Sequence, residues 1–250
     1  HWGGDTEVSN MGMLSVLHGG LSLGNSGFSF WSHDAGGFAV KSQEELYRRW
    51  LFMSIFTSHI RAHGQPPKEP WYFSDDFLSF FRKLLRLRYR LMPYILTEAK
   101  KSSDLGIPLL RSLVLEFPDD RTVDDISDSY MFGDDLLIAP SFHSQQRERV
   151  VYLPEGEWIN FFTGKKYKGS QWITETVSEY EGNVYVRAQA IIPTVKPALS
   201  TDFLDFTSIQ WVSADDTVKE GIVFKDGSLQ KVDIETLLTF EKWQEELAED

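Results

Sequence analysis

The first five residues, HWGGD, place a carboxylate, an indole and two glycines in one short stretch. Asp5 lies three residues after Trp2, and the glycines between them allow the backbone to bend tightly. An aspartate beside glycine is most often a turn residue. In a (β/α)8 barrel, however, a carboxylate that directly follows a strand stands at the carboxyl-terminal face, where the chemistry takes place. Asp5 is therefore either a turn residue or the first catalytic candidate.

A second stretch, SFWSHDAGGF, holds Asp34 and Phe38 next to glycines. Core packing explains Phe28 and Phe30, which precede Asp34. Phe38 instead lies in a predicted loop, where an exposed aromatic side chain more often contacts a ligand. Aromatic residues make up 14% of the chain, which fits a protein that stacks sugar rings and equally fits an aromatic-rich core.

Two histidines, His59 and His63, stand four residues apart in SHIRAHG. On a helix they would share one face, as metal-ligating histidines do. No glutamate follows His59 in the pattern of zinc proteases, and no third ligand is evident, so we expect no metal site. His63 is then a structural histidine at a helix end or a donor to a sugar hydroxyl.

Three other motifs carry weaker signals. The glycines of GGLSLGNSG lack the Lys-Ser/Thr of a phosphate loop and follow a helix instead of opening one. GKKYKG is typical of a solvated turn, and the neighbouring residues of SHD would point in different directions on a strand. We expect neither a phosphate site nor a serine triad, and no cofactor.

Apolar periodicity predicts the elements that must position these residues. NMGMLSVLHGGLSL predicts a helix that ends near Gly19 or Gly20, followed by a short buried strand over residues 28–31. The next helix begins with a capping box of Ser42 and Glu45. Its apolar stripe comprises Leu46, Trp50, Met53 and Phe56.

A second long helix is predicted in DDFLSFFRKLLRLRYRLMPYILTEAKKSSDLG, with Pro93 kinking or splitting it and Gly106 ending it. PLLRSLVLEFP predicts a buried strand closed by Pro118, and SDSYMFGDDLLIAP predicts a short helix followed by an apolar run. From about residue 145 the chain reads as short strands separated by glycine-containing turns, as in LPEGEW and EYEGNVYV, which is typical of an antiparallel β-sandwich.

The predicted fold is α/β followed by all-β: the C-terminal portion of a (β/α)8 TIM barrel and then an antiparallel β-sandwich. A whole barrel takes about 250 residues and only about 140 here carry its pattern, so several strands are expected to be missing. The expected domains are residues 1–140 (incomplete catalytic barrel), 141–200 (β-sandwich) and 201–250 (acidic tail or the start of a second small β-domain).

The net charge of −12 argues against nucleic acid as a partner. Most of that charge lies after residue 200, which predicts a solvated, partly disordered end with one marginal helix in IETLLTFEKWQEELAED. No apolar run is long enough to span a membrane, so no membrane partner is expected. The lack of cysteine excludes disulfides and, with no visible signal peptide, favours a cytoplasmic location. An oligomer is compatible with the sequence.

Together these stretches resemble glycoside hydrolase family 31, the retaining α-glucosidases and α-xylosidases. The resemblance covers roughly residues 1–200 and rests on HWGGD, GGLSLGNSGFSFWSHDAGGF, RRW, SHIRAHG, YMFGDDLLIAP, YLPEGEW, FFTGKKY and VYVRAQAIIP. HWGGD and FWSHDAGGF are most similar to the α-xylosidase branch. One departure is Ala35, where the family usually has a larger aliphatic residue.

The resemblance implies cleavage of α-glycosides with retention by two aspartates, a nucleophile and a general acid/base. Asp5 matches the acid/base, whose raised pKa would come from burial beside Trp2 and from the charge of the nucleophile. By the same matching, Trp2 and Phe38 line the subsite of the cleaved sugar and His63 donates to a sugar hydroxyl. Asp34 either lines the pocket or is structural.

In this family the nucleophile lies on an earlier barrel strand, so it is expected upstream of His1 with the first strands and an N-terminal β-domain. The downstream aspartates fall in predicted loops or helix starts and do not replace it. We therefore expect the chain to be inactive by itself and to work with the upstream part of the same enzyme on a carbohydrate substrate. Two alternatives stay open: a non-catalytic carbohydrate-binding or structural remnant, and a transglycosylase with the same site.

Overall fold

A computed structural model describes residues 1–249 of the chain. Within them, the helices α1 to α6 span Asn10–Asn25, Glu44–Ile55, Asp75–Arg90, Met92–Leu105, Leu113–Glu116 and Phe240–Ala248. The strands β1 to β13 span Leu110–Ser112, Tyr130–Phe132, Leu136–Pro140, Glu148–Leu153, Glu157–Asn160, Lys166–Lys168, Gln171–Thr176, Gly182–Arg187, Ile191–Thr194, Gln210–Ser213, Glu220–Lys225, Ser228–Asp233 and Thr236–Leu238. None of the helices over residues 1–249 is both long enough and apolar enough to cross a membrane.

Six strands form the central sheet in the order β1-β2-β3-β8-β5-β6, and all neighbours in it are antiparallel. Strand β3 is buried on both faces. Leu136 and Ile138 join the core that contains the helices, whereas Leu137 and Ala139 join a second core that includes the β4–β7 pair. Alternate residues of a strand point to opposite faces, so the sheet lies between a helical layer and a second antiparallel layer. The predicted β-sandwich is confirmed.

The central sheet takes strands from both sides of residue 140, because β1, β2 and β3 belong to it. The β-rich part of the fold therefore begins at Leu110, well before residue 141. The short helix predicted in SDSYMFG is wrong, because these residues contain β2, which pairs with both β1 and β3. The strand predicted in PLLRSLVLEFP is confirmed only for β1, after which the chain turns into α5.

Helix α1 continues through both glycines at which it was predicted to end. Gly20 is buried, and a Cβ added to it would lie 2.1 Å from the indole of Trp31. The glycine therefore serves close packing against Trp31, and the helix ends only after Asn25. At its start, the Ser9 hydroxyl accepts a hydrogen bond from the Gly12 amide at 2.9 Å, as an N-cap does.

The strand predicted over residues 28–31 does not form. Phe28 is exposed and Trp31 is buried, but the regular β-pairing in this region is reduced to one isolated parallel bridge between Trp2 and Ser32. A strand needs a hydrogen-bonded neighbouring strand. Within residues 1–249, no strand pairs with residues 28–30.

Helix α2 has the predicted apolar stripe, since Leu46, Trp50, Met53 and Phe56 are all buried. The predicted capping box is wrong. Gln43 is the N-cap, without a side-chain hydrogen bond. The Ser42 side chain is directed to the preceding loop, where its hydroxyl donates to the carbonyl oxygen of Gly36. This side-chain contact ties the start of the helix to the preceding loop.

Helix α2 ends at Ile55, so His59 and His63 lie in the loop that follows and do not share a helix face. The geometry that would have favoured a histidine metal pair is therefore absent. Arg88 of α3, which is buried, donates to the carbonyl oxygens of Ile55, Thr57 and Ser58 at 2.6, 2.8 and 3.0 Å. These bonds satisfy carbonyls that the end of α2 leaves unpaired.

The split of the second long helix is confirmed. Helix α3 ends at Arg90, α4 begins at Met92, and Pro93 lies in the first turn of α4, where a missing N–H is tolerated. Gly106 closes α4 in the left-handed region with φ of 70°.

The acidic segment after residue 200 is folded over the residues described, so the solvated-tail expectation is wrong. Strand β10 pairs with β9 and β13, and α6 buries Trp243 and Leu247 in the same core as the other helices. Arg90 of α3 also pairs with Glu246 at 2.7 Å. An amphipathic helix with a large apolar face is stabilised by that burial in spite of its acidic composition.

Candidate active site

The chain segment that carries Asp5 lies beside the segment that carries Asp34. The Gly3 amide donates to the carbonyl oxygen of Ser32 at 2.9 Å, and the Ser32 amide donates to that of His1 at 2.7 Å. The resulting bridge is parallel. Parallel segments run in the same direction, so the residues that follow the bridge in both segments lie on the same side of it. Asp5 and Asp34 both follow the bridge, as expected of candidate residues at the carboxyl-terminal face of a barrel.

Asp5 itself is exposed, on a bend that leads into α1. Residues 1–249 therefore do not bury Asp5 beside Trp2, contrary to the prediction from the sequence. The backbone on either side of Asp5 is nevertheless held: Gly3 pairs with Ser32, and the carbonyl oxygen of Thr6 accepts from the Phe38 amide at 2.9 Å. An accessible carboxylate on an anchored loop can approach a substrate from solvent.

Asp34 lies at the centre of a polar cluster. Its side chain is fully buried, and Oδ1 accepts from Nε of Arg61 at 2.6 Å and from the indole N–H of Trp2 at 3.3 Å. The Arg61 guanidinium carbon also lies 5.2 Å from the centroid of the Trp2 ring. The indole is thus held at its edge by Asp34 and on its face by Arg61. Oδ2 of Asp34 has no hydrogen-bond partner among the described residues.

The Phe38 and His63 rings form a second pair, with centroids 5.6 Å apart. Their chain segments are joined at two points: the Ala35 amide donates to the carbonyl oxygen of Arg61, and the Gln65 amide donates to that of Phe38, both at 3.1 Å. The four side chains predicted to contact sugar are therefore arranged as two contacting pairs, Trp2 with Asp34 and Phe38 with His63.

Three residues near these pairs were missed by the sequence analysis. Arg61 carried a usable signal, because it is a cation two residues before His63 in SHIRAHG. Lys68, in QPPKEP, reads as a surface lysine, and its burial depends on contacts with distant residues. His33 was considered only within the SHD tripeptide; it is buried, with its ring centroid 5.6 Å from that of Trp31 and 6.4 Å from that of Trp50.

Two cavities border the candidate residues. One of about 420 Å³ is lined by Trp2, Gly3 and Thr6 together with residues of α1. The other, of about 290 Å³, is lined by His63 and the residues that follow it, through Glu69. A third cavity of about 440 Å³, between α4 and the β11–β12 hairpin, is lined by none of the candidate residues. We assign the site to the polar residues that converge, because volume alone carries no chemistry.

Replacing Gly37 with alanine should disturb the contact between the two loops. Gly37 has φ of 75°, and an added Cβ would lie 2.8 Å from Cγ2 of Val8 and 3.1 Å from the carbonyl oxygen of Glu7. We expect a loss of about 1–3 kcal/mol in the free energy of unfolding from the strained backbone. In the complete enzyme we also expect a lower kcat/KM, because the Asp5 loop is displaced. Urea denaturation and steady-state kinetics measure the two effects.

Gly27 provides the matched control for this substitution. It has a similar φ of 93°, but an added Cβ would meet nothing within 4 Å. Gly27→Ala should therefore reproduce the backbone strain while leaving kcat/KM unchanged. Equal losses of activity in both variants would show that the close approach of Gly37 to Val8 is unimportant for the site.

Comparison with known families agrees with this geometry. The glycosyl hydrolases family 31 TIM-barrel domain matches residues 1–98, and the glycosyl hydrolase family 31 C-terminal domain matches residues 106–192. The first match contains all five predicted site residues. The second begins just after α4 and covers β1 to β8.

Individual relatives point the same way. An alpha-xylosidase of Emericella nidulans is 38% identical over 202 residues, covering 77% of this chain and 26% of that protein. The cycloalternan-forming enzyme of Listeria monocytogenes, solved with a pentasaccharide substrate, superposes with a TM-score of 0.85 at 30% identity, covering 92% of this chain and 24% of that one. A GH31 alpha-xylosidase from a soil metagenome, solved with xylose, has a TM-score of 0.72 at 32% identity and covers 76% of this chain and 32% of that one.

The chain thus spans about a quarter of the length of the alpha-xylosidase from Emericella nidulans. Within that span, its first part matches the family's barrel domain and its second part matches the family's C-terminal domain. The chain belongs to glycosyl hydrolase family 31.

Proposed function

We propose that this chain supplies the general acid/base and part of the sugar subsite of a retaining enzyme that hydrolyses α-xylosides or α-glucosides. The observation that carries the proposal is the convergence of two parallel-bridged segments, which brings the Asp5 loop against the segment of Asp34 and Phe38. Membership of the family supports the reaction type.

In the first step, the protonated carboxyl group of Asp5 gives its proton to the glycosidic oxygen while the nucleophilic carboxylate attacks the anomeric carbon. The bond to the leaving sugar breaks and a β-glycosyl-enzyme ester forms. In the second step, the Asp5 carboxylate takes a proton from water as that water attacks the anomeric carbon. The ester bond breaks, and the product has the α-configuration of the substrate.

The remaining candidate residues position the sugar. Trp2 and Phe38 supply flat apolar faces, and the imidazole of His63, packed on Phe38, supplies a polar edge for a hydroxyl group. Asp34 is proposed to act on the sugar mainly through Trp2, whose indole it orients, because its own side chain is fully buried.

We propose that the nucleophile belongs to a part of the complete enzyme other than these 250 residues. The alpha-xylosidase from Emericella nidulans is matched over 26% of its length, so most of a protein of that length lies outside the part that this chain matches.

Transfer of the glycosyl group to another sugar is the second candidate. The Listeria monocytogenes relative is named for forming cycloalternan and not for hydrolysis. The same ester intermediate serves both reactions, since a sugar hydroxyl replaces water in the second step.

Proton NMR of the first product tests the proposal. The complete enzyme is incubated with an α-xyloside or an α-glucoside, and the β-anomers of the same glycosides are the control. We expect the α-anomer of the free sugar to appear before mutarotation, with no release from β-glycosides. The β-anomer as first product would exclude retention, and oligosaccharide in place of free sugar would indicate transfer.

A further inference from the structure

Lys68 is buried although its sequence context, QPPKEP, is that of a surface loop. Its side chain is 1% exposed, and its ammonium group donates to the carbonyl oxygen of Val40 at 2.8 Å, to the Ser42 hydroxyl oxygen at 3.1 Å and to the carbonyl oxygen of Gly36 at 3.3 Å. An ammonium group has three N–H donors. All three therefore go to one short segment, residues 36–42, which we call the Phe38 loop.

The ammonium group is a buried cation held by neutral oxygens. Within residues 1–249 it forms no ion pair with a carboxylate. Burial lowers the pKa of Lys68 to about 8, while the negative charge of Asp34 acts in the opposite direction. The group is thus mainly protonated at pH 7. Removing it would take away the side-chain donor of the Val40 carbonyl oxygen, whereas the Gly36 carbonyl oxygen would keep the Ser42 hydroxyl as a donor.

Lys68 is itself held in place at its backbone and along its stem. Its backbone carbonyl accepts from the Tyr47 hydroxyl of α2 at 3.0 Å. Its stem passes so close to Gly64 that a Cβ there would lie 2.6 Å from Cε of Lys68 and 2.7 Å from the carbonyl oxygen of Phe38. Lys68 therefore has a fixed position, and its hydrogen bonds hold the Phe38 loop in one conformation.

The Phe38 loop has no helix or strand of its own, and its bends at Gly36 and Gly37 use φ of 81° and 75°. The two carbonyl groups that Lys68 binds, those of Gly36 and Val40, lie two residues before and two residues after Phe38. Phe38 also bonds through its backbone to Thr6 and to Gln65. The position of its ring thus depends on contacts from three directions.

We propose that Lys68 is a positioning residue that holds the Phe38 loop closed and so sets the affinity of the site for the sugar ring. The proposal rests on the proposed function, because it takes Phe38 as a wall of the sugar subsite. Lys68 does not touch the substrate. Since Phe38 packs on the sugar in both the ground state and the transition state, loosening it should raise KM more than it lowers kcat.

Lys68→Met in the complete enzyme tests this, because methionine keeps an apolar stem and removes the donors. We expect KM to rise about tenfold with kcat within about twofold of the unsubstituted enzyme. Amide hydrogen exchange should accelerate in residues 36–42 and stay unchanged in α2 and α3. Lys68→Arg, which keeps a charged donor, should restore most of the protection. Lys41→Met is the control, since Lys41 is an exposed lysine of the same loop that donates to Tyr72.

A double-mutant cycle with Phe38→Ala decides whether the lysine acts through Phe38. The KM effect of Lys68→Met should disappear in that background. Unchanged exchange in residues 36–42, a faster exchange throughout the helices, or a full KM effect without Phe38 would each overturn the proposal. Failure of the unsubstituted enzyme to bind or cleave α-glycosides would instead overturn the proposed function, and the exchange measurement does not depend on it.

Discussion

In the complete enzyme, alanine at Asp5 is expected to lower kcat/KM for an α-glycoside with a poor leaving group by about 10²- to 10⁴-fold, the usual size of a general acid/base contribution. The reason is that an alkoxide leaving group needs the proton that Asp5 donates, whereas a phenolate with a low pKa leaves without it. The measurement is steady-state kinetics on a series of aryl and alkyl glycosides. The loss should grow with the pKa of the leaving group.

Two further experiments test whether the loss of activity in the Asp5 variant comes from lost acid/base catalysis. Azide, a nucleophile that needs no general base, should restore turnover of a substrate with a good leaving group by forming a glycosyl azide. Glu7→Ala is the matched control, because Glu7 is a second exposed carboxylate on the same loop. A loss independent of the leaving group, or an equal loss in the Glu7 variant, would argue that Asp5 only shapes the loop.

The second large effect concerns stability in acid, through His33. Burial, and to a smaller extent the charge of Arg61, lower the pKa of His33 from 6.5 to about 3. The Ser54 hydroxyl donates to the Trp50 carbonyl oxygen at 2.8 Å, so at the 3.0 Å contact it accepts from Nε2 of His33. The folded protein therefore holds a neutral imidazole, whereas the unfolded chain takes up a proton below about pH 6.5.

The direction of the change in stability with pH follows from proton uptake by the unfolded chain. Between pH 6.5 and about 3 the unfolded chain binds one proton more at this residue, so the free energy of unfolding falls as pH falls. The loss from His33 is about 1.4 kcal/mol per pH unit, or about 2.7 kcal/mol at pH 4.5. Urea denaturation at a series of pH values between 7 and 4.5 measures it in the complete protein.

His33→Phe isolates this contribution, since phenylalanine keeps a flat ring between Trp31 and Trp50 and does not titrate. Its absolute stability is not the readout. Over the same pH range its free energy of unfolding should fall less steeply than that of the unsubstituted protein, by about 1.4 kcal/mol per unit. Identical slopes would show that His33 is protonated in the folded state or is accessible to water.

The sequence by itself determined the residue types of the candidate site and several element boundaries. HWGGD, HDAGGF and SHIRAHG each place a candidate side chain within a few residues of glycine or a helix end, so each motif can be recognised from neighbouring residues alone. The break before α4 and the end of α4 were equally predictable, because proline lacks an N–H and glycine tolerates a left-handed conformation.

Errors arose where a residue serves a distant contact. Gly20 looked like a helix end, but it makes room for Trp31, and Ser42 looked like an N-cap, but it bonds to Gly36. The acidic composition after residue 200 indicated a tail, whereas the apolar face of α6 is buried against the helical core. In each case local spacing describes what a residue is able to do and omits the neighbour that tertiary packing brings to it.

The tertiary structure alone decided how the candidate residues are held. Asp34 pairs with Arg61 across 27 residues and with Trp2 across 32, and Lys68 binds the Phe38 loop across as many as 32. Asp34 and Lys68 are buried, and a buried charge without a partner is costly, so the fold must bring a partner to each. Which oxygen lies within reach of which donor depends on how loops cross after the strands and helices have packed. The distance between a donor and its acceptor is a property of the folded chain, and the spacing of residues along the sequence does not encode it.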